Sequence, residues 1–350
     1  MKAMILPELN QPMKLQEVET PKPGPEEALI QVMACGIDAT DLKILDGFGY
    51  VPKLPFILGH ETAGIVTKVG RQVTDFKPGD RVVAYNYFYC GKCPFCSIHR
   101  EQLCVDMKGV LGILERFGGY AEYTTTIARQ LVSVPENIPW PDVAVCSDAG
   151  ITSVHAVDRA GVKLGETVLV IGIGGVGAIA TQLCKASGAR VFVVVRSEQR
   201  ARKALEMGAD EVLNSREVDI ANSVRQLTVG LGADCVMDCV GAEETVTYGM
   251  DSLQHGGRLV LVGYTAERYP LKGEQLDQNE LTIIGTRGGR FVDLVKTVRF
   301  VAEGRIKSVV SDVYPLEEAN EALALLRDGK AMGRVVLLTP EGQRALRGCG

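Results

Sequence analysis

From about residue 165 the chain alternates short apolar runs with helical stretches, and this alternation restricts its architecture more than any other feature. The runs are ETVLVIG, ARVFVVV, DEVLN, ADCVMDCVG and GRLVLVG, separated by stretches such as VGAIATQLCKASGA and SEQRARKALEMGA. Apolar runs that do not alternate belong to strands buried on both faces. Strands joined through helices of this length run parallel, so the pattern specifies a doubly wound α/β sheet.

The first run passes directly into VLVIGIGGVGAIA, which sets Gly172, Gly174 and Gly177 in a G-x-G-x-x-G pattern between a strand and a helix. Glycines here permit the tight turn. They also let the main-chain amides around Gly175 and Val176 approach a pyrophosphate at the positive end of the helix. In this strand-to-helix setting the motif predicts a dinucleotide site. A ribose with a free 2′-hydroxyl is usually met by an acid at the end of the second strand. GARVFVVVRSEQR has Val195 at that place, followed by Arg196, Ser197 and Arg200. No carboxylate stands there to repel a 2′-phosphate, and two guanidiniums are close enough in sequence to pair with one, so NADP(H) is expected in preference to NAD(H). The two arginines also read as the solvated start of a helix, which by itself leaves the missing acid unexplained.

The N-terminal part follows a different grammar. Between about residues 25 and 135, EALIQVMACG, ETAGIVTKVG, GDRVVAYN and GYAEYTTT are short β-branched and apolar stretches broken by glycine and proline, which reads as β-rich and barrel-like. Within it, Cys90, Cys93, Cys96 and Cys104 form C-x2-C-x2-C-x7-C, four of the chain's ten cysteines. Four thiolates gathered by tight turns complete a tetrahedral zinc and leave no open position, so a structural zinc lobe is expected over about 88–106. A redox or iron–sulfur role is the alternative. After residue 290, FVDLVKTVRFVAEGRI and LEEANEALALLRDGK read as amphipathic helices, GRVVLLTP as a closing strand, and RALRGCG as a loose tail. A chain of 350 residues suits two domains. Its net charge of −5 gives no reason to expect nucleic acid or an acidic membrane as partner. MKAMILPELNQP lacks an apolar signal core and no apolar run approaches the roughly 20 residues that span a bilayer, so a cytoplasmic protein is expected.

A cysteine lobe of this spacing, after GHETAGIVTKVG and ahead of GIGGVG, resembles the zinc-containing medium-chain alcohol dehydrogenases over nearly the whole chain. The resemblance implies a GroES-like catalytic domain over 1–150, a Rossmann domain over 151–290 and a return to the catalytic domain over 291–350. It also implies hydride transfer between a nicotinamide and a small alcohol, aldehyde or ketone, in a homodimer or homotetramer. In that family a catalytic zinc is held by cysteine, histidine and a second cysteine, the last sometimes replaced by glutamate. His60 in LGHE matches the histidine, and Glu61 the neighbouring acid that can enter or leave the metal shell.

Both cysteine positions are aspartates here, Asp38 and Asp148. Two aspartates carry the same formal charge as two thiolates, so Asp38, His60 and Asp148 are expected to hold a divalent ion, zinc before others, through a harder donor set that discriminates less. The competing expectation is a site that has lost its metal and keeps its charges for other work. Cys35 and Cys146 are near enough in sequence to substitute after a loop shift, although a free cysteine is usually a small buried hydrophobe. By the same resemblance Thr40 corresponds to the hydroxyl that passes the substrate proton outward, and Lys43 stands where relatives often carry a histidine at the end of that relay. Asp41 resembles the acid that holds the histidine ligand, and Arg334 in MGRVV an arginine that binds pyrophosphate. The superfamily also contains reductases of activated C=C bonds that lack the catalytic metal, so an enone or enoyl-thioester reductase is the alternative function. A non-enzymatic NADP(H)-sensing protein is a third.

Overall fold

The computed structural model describes residues 1–269 and 271–347 and divides into two compact units. One comprises Met1–Asp148, Arg290–Glu303 and the chain from Val310 onward, the other Ala149–Gly289 with Gly304–Val309. Segment 304–309 goes with the second unit because Gln182 clasps its main chain. Lys307 N donates to Gln182 Oε1 at 2.7 Å, and Gln182 Nε2 donates to Lys307 O at 3.4 Å.

The second unit is built on a six-stranded parallel sheet among the described residues. Its strands lie in the order Glu211–Asn214, Arg190–Val195, Thr167–Ile171, Ala233–Asp238, Leu253–Leu261, Thr282–Gly285. This is the Rossmann order, in which the chain runs outward through its first three strands and then crosses back to lay the fourth beside the first. The apolar runs read from the sequence occupy the inner strands, where Leu169, Ile171, Phe192, Val194, Val236 and Leu259 are almost fully buried in one cluster. Helices lie between successive strands, as the alternation requires.

The first unit is β-rich, as a GroES-like domain is. Strand Glu27–Ile37 is its spine, flanked antiparallel by Glu61–Val69 on one side and Arg334–Leu338 on the other, with Tyr123–Ile127 also paired to it. Ile30, Val66, Val82, Phe88, Leu111 and Leu131 pack into one core. The register positions the site: Gly36 lies opposite Glu61 and Ile37 opposite Val335. Residues 38, 61 and 334 therefore emerge at one end of three adjacent strands.

The C-terminus corrects the expectation of a loose tail. Pro340–Arg347 is a helix. A side chain on Gly342 would collide with Met33 O, so glycine is what lets this helix lie on strand Glu27–Ile37, and Gly342 N donates to Thr339 Oγ1 at 3.2 Å. The last three residues of RALRGCG lie outside the described residues. No helix among the described residues is long and apolar enough to cross a membrane.

Candidate active site

Asp38 follows strand Glu27–Ile37 and caps helix Ala39–Leu45. Its Oδ1 accepts from Thr40 N at 2.7 Å, and the reciprocal bond runs from Asp38 N to Asp41 Oδ2 at 3.0 Å. Aspartate is a strong N-cap and an acid at the third helical position closes the box, so DATD folds this way for local reasons. The consequence is that both carboxylates of the stretch are held inward: Asp38 is 8% exposed and Asp41 fully buried. Thr40 Oγ1 donates to the other Asp38 oxygen at 3.3 Å.

His60 sits between Gly59, at φ +101°, and strand Glu61–Val69. Its imidazole is 1% exposed. Nε2 lies 3.6 Å from Asp38 Oδ1 and 3.9 Å from Asp148 Oδ2, while Nδ1 lies 3.6 Å from Asp41 Oδ1. Neither ring nitrogen makes a hydrogen bond among the described residues. Asp148 comes from the π-helical turn Cys146–Gly150. Glu61 is fully buried, and a side chain on Gly36 would run into its carboxylate, which explains the glycine at that step of the opposing strand.

Arg334 is the residue whose place the sequence did not foretell. Read as a pyrophosphate ligand, it is placed inside the acid cluster of its own unit. Nη2 lies 2.5 Å from Glu61 Oε1 and 2.6 Å from Asp148 Oδ2, and Nη1 lies 3.6 Å from Asp38 Oδ2. Four carboxylates thus face one guanidinium and one imidazole in a desolvated space. Burial pushes Glu61 up to about 8, opposed by Arg334 and aided by the charge on Asp148. Burial also raises Asp38, with His60 pulling the other way. Asp148 goes the opposite way, since His60 and Arg334 outweigh its burial and hold it below the usual carboxylate range. Burial lowers His60, but Asp38, Asp148 and Asp41 together raise it well above its ordinary value. Burial lowers half-buried Lys43, while Asp38 and Asp148 raise it.

These atoms fit a divalent ion. A tetrahedral centre with oxygen and nitrogen ligands at about 2.1 Å separates them by roughly 3.4 Å. The one-atom-per-residue set from Asp38, His60 and Asp148 lies within 4.8 Å throughout. A buried imidazole nitrogen between two carboxylate oxygens, too far from either for a hydrogen bond, is the donor arrangement such an ion uses. Cys35 and Cys146 do not join it. The Cys35 thiol lies 3.7 Å from Gly36 O and the Cys146 thiol 3.2 Å from Asp142 O, so both are turned to main-chain carbonyls.

The four lobe cysteines converge as their spacing implies. Cys93 Sγ is 3.5 Å from Cys96 Sγ and 3.9 Å from Cys104 Sγ, and Cys90 Sγ is 4.0 Å from Cys96 Sγ. Sulfur ligands at about 2.3 Å around zinc are roughly 3.8 Å apart. Main-chain amides of Cys93 and Lys92 point at Cys90 Sγ, at 3.3 and 3.5 Å, and Cys90 N at Cys104 Sγ, at 3.3 Å, which favours thiolate.

In the second unit, Gly172 follows its strand at φ +88° and Gly174 caps helix Gly175–Ala186. A side chain on Gly177 would collide with Gly172 O, whereas one on Gly174 would meet nothing within 4 Å. The third glycine is therefore a packing requirement, while the second faces open space where the helix amides of Gly175 and Val176 begin. Strand Arg190–Val195 ends without an acid, and Ser197 caps the next helix, accepting from Arg200 N at 3.4 Å. Arg196 is exposed and Nη2 lies 2.9 Å from Glu244 Oε2; Arg200 is half-buried. Glu244, from a helix 48 residues on, is a partner of Arg196 that no sequence pattern indicated. Tyr120 was likewise missed, although its setting between two glycines and an alanine in GGYAE marks a tightly packed strand-like turn.

Comparison with known proteins agrees with this geometry. An alcohol dehydrogenase GroES-like domain matches residues 24–136 and a zinc-binding dehydrogenase domain matches 175–303. An alcohol dehydrogenase of Geobacillus stearothermophilus is 36% identical over 96% of this chain and 99% of its own. An acryloyl-coenzyme A reductase of Sulfurisphaera tokodaii is 32% identical over 96% and 99%. The crystal structure of an NAD-dependent alcohol dehydrogenase, 32% identical, superimposes with a TM-score of 0.91 over 97% of this chain and 99% of that one.

Proposed function

This chain belongs to the zinc-type medium-chain dehydrogenase/reductase family and is an oxidoreductase; on that premise we propose that it interconverts an alcohol and an aldehyde or ketone with NADP(H), at a divalent ion held by Asp38, His60 and Asp148. The observation that carries the reading is the buried Nε2 of His60, which faces one oxygen of each aspartate and has no hydrogen bond among the described residues. A divalent ion bound there supplies electrophilic polarisation of the substrate oxygen. The remaining work falls to the chain. Asp41, at His60 Nδ1, favours the tautomer that leaves the Nε2 lone pair for the ion. Thr40 Oγ1, now donating to Asp38, is the group that takes up and relays the proton of a substrate hydroxyl. Arg334 keeps Asp148 ionised, and Glu61, pushed up to about 8, holds a proton at neutral pH.

Support for NADP(H) comes from the acid-free end of strand Arg190–Val195 and from Arg196 and Arg200 beside it, against relatives named as NAD-dependent. The same reading takes a small molecule as substrate, a cytoplasmic setting, and a homodimer or homotetramer measurable by light scattering.

A second reading is favoured by Arg334. Its guanidinium already supplies a cation to Asp148 and Glu61, so the cluster is partly neutralised without a metal, and a relative 32% identical is named as an acryloyl-coenzyme A reductase. In that case the protein reduces an activated C=C bond, with an oxyanion donor and a proton donor in place of a Lewis acid. Metal analysis paired with NADPH turnover separates the two. A second zinc per chain beyond the cysteine lobe, with turnover of aldehydes or ketones, supports carbonyl chemistry. A single zinc, with turnover confined to enones or enoyl thioesters, replaces it with the second reading.

A further inference from the structure

We propose that Tyr120 is a positioning residue for the His60 metal site, acting through Asp41. The proposal rests on the reading that Asp38, His60 and Asp148 bind a divalent ion. Tyr120 is fully buried and its hydroxyl donates to Asp41 Oδ2 at 2.9 Å. That same oxygen accepts from Asp38 N at 3.0 Å, and the other, Oδ1, is the atom 3.6 Å from His60 Nδ1. One buried carboxylate therefore touches the main chain of one proposed ligand and faces the ring of another. Tyr120 and the Asp38 amide are what fix its orientation.

The tyrosine cannot drift independently of His60. Tyr120 N donates to Leu58 O at 3.0 Å, Gly119 N to Gly59 O at 2.7 Å and Gly118 N to Ile57 O at 2.9 Å, so segment 118–120 is laced to the loop that ends in His60. The phenol ring also lies against Gly59, where a side chain would come within 2.5 Å of Tyr120 Cδ1. Ring, loop and carboxylate move together. A hydroxyl held this rigidly sets which way the Asp41 carboxylate is turned, and hence whether Oδ1 meets the Nδ1 proton that leaves Nε2 as the donor to the ion. Groups that orient a metal-bound histidine through its far nitrogen commonly change metal affinity by 10 to 100-fold when removed.

Tyr120→Phe removes only the hydroxyl and keeps the packed ring. The measurement is competition for Zn²⁺ and Co²⁺ against a chelator of known affinity, which resolves the four-cysteine site from the His60 site, together with the Co²⁺ ligand-field spectrum of the latter. The expected result is a loss of about 10 to 100-fold in affinity at the His60 site and an altered cobalt spectrum, with the cysteine site and NADP(H) binding unchanged. Asp41→Asn should weaken the same site, and adding Tyr120→Phe to it should cost nothing further, because the two act through one chain. An unchanged His60-site affinity in Tyr120→Phe, or additive losses in the double variant, overturns the proposal. A wild-type protein with only the cysteine-site phase overturns instead the metal reading on which it stands.

Discussion

Replacing Arg334 by methionine probes the cluster most directly. Methionine keeps the length of the side chain and its apolar stem, but it removes the 2.5 and 2.6 Å pairs to Glu61 and Asp148 and the nearby charge at Asp38. Deleting one partner of a buried ion pair costs about 3 to 5 kcal/mol, because the other is left desolvated and uncompensated. Here two acids lose their partner, yet Glu61 is pushed up to about 8 and can meet the loss by staying protonated, so the upper end of that range is the ceiling at neutral pH. The pH trend has a definite sign. Without Arg334 the already raised Glu61 and Asp38 move further above their unfolded values and Asp148 loses part of what holds it low, so the folded state binds more protons than it does with Arg334 and stability falls more steeply as pH rises. Urea denaturation of the chelated protein should therefore show a loss of about 3 to 5 kcal/mol at pH 8 and a smaller one at pH 6. A divalent ion should recover part of it by supplying the missing positive charge. A loss under about 1 kcal/mol at pH 8, in the range of exposed pairs, would refute the claim that these charges are desolvated.

Three further outcomes are expected. Glu61, pushed up to about 8 by burial from an ordinary 4.5, makes the metal-free protein lose stability as pH climbs from about 4.5 to 8. Glu61→Gln should flatten that slope, which reaches about 1.4 kcal/mol per unit at most, in pH-dependent denaturation. Glu244→Gln frees the Arg196 guanidinium; a pair this exposed holds about 1 kcal/mol or less, so KM for NADPH should drop by up to about fivefold while KM for NADH stays put. Cys104→Ser opens the sulfur tetrahedron, and limited proteolysis should cut within the lobe while NADP(H) binding persists.

The parts of this molecule set by local pattern were legible in the chain, and the parts set by distant pairing were not. Strand Thr167–Ile171 announced itself by an unbroken apolar run, and Gly177 by its place in G-x-G-x-x-G, for which the structure supplies the reason in a contact with Gly172 that admits no Cβ. Spacing alone brought the four cysteines together, since Cys93 and Cys96 share one turn of helix. His60, Asp38 and Asp148 could be lined up by resemblance, but the local reason for an acid at 38, a helix cap closed by Asp41, lay unread in the four letters DATD. Arg334 was assigned elsewhere because its partners depend on the pairing of strand Arg334–Leu338 with Glu27–Ile37, a register that no local window contains. Tyr120 touches Asp41 across 79 positions for the same kind of reason.

That late pairing has a consequence for biosynthesis. The spine of the first unit is translated within the opening forty residues, whereas the strand that flanks it with Arg334 leaves the ribosome some three hundred residues later. Until then Asp38, Glu61 and Asp148 lack the guanidinium that neutralises them, so the nascent acids must remain protonated or solvated. The second unit, nearly contiguous in the chain, can close on its own sheet first. The last strand to arrive thus brings the positive charge that allows the acid pocket to shut, and a chain truncated before it should stall with that pocket open to water.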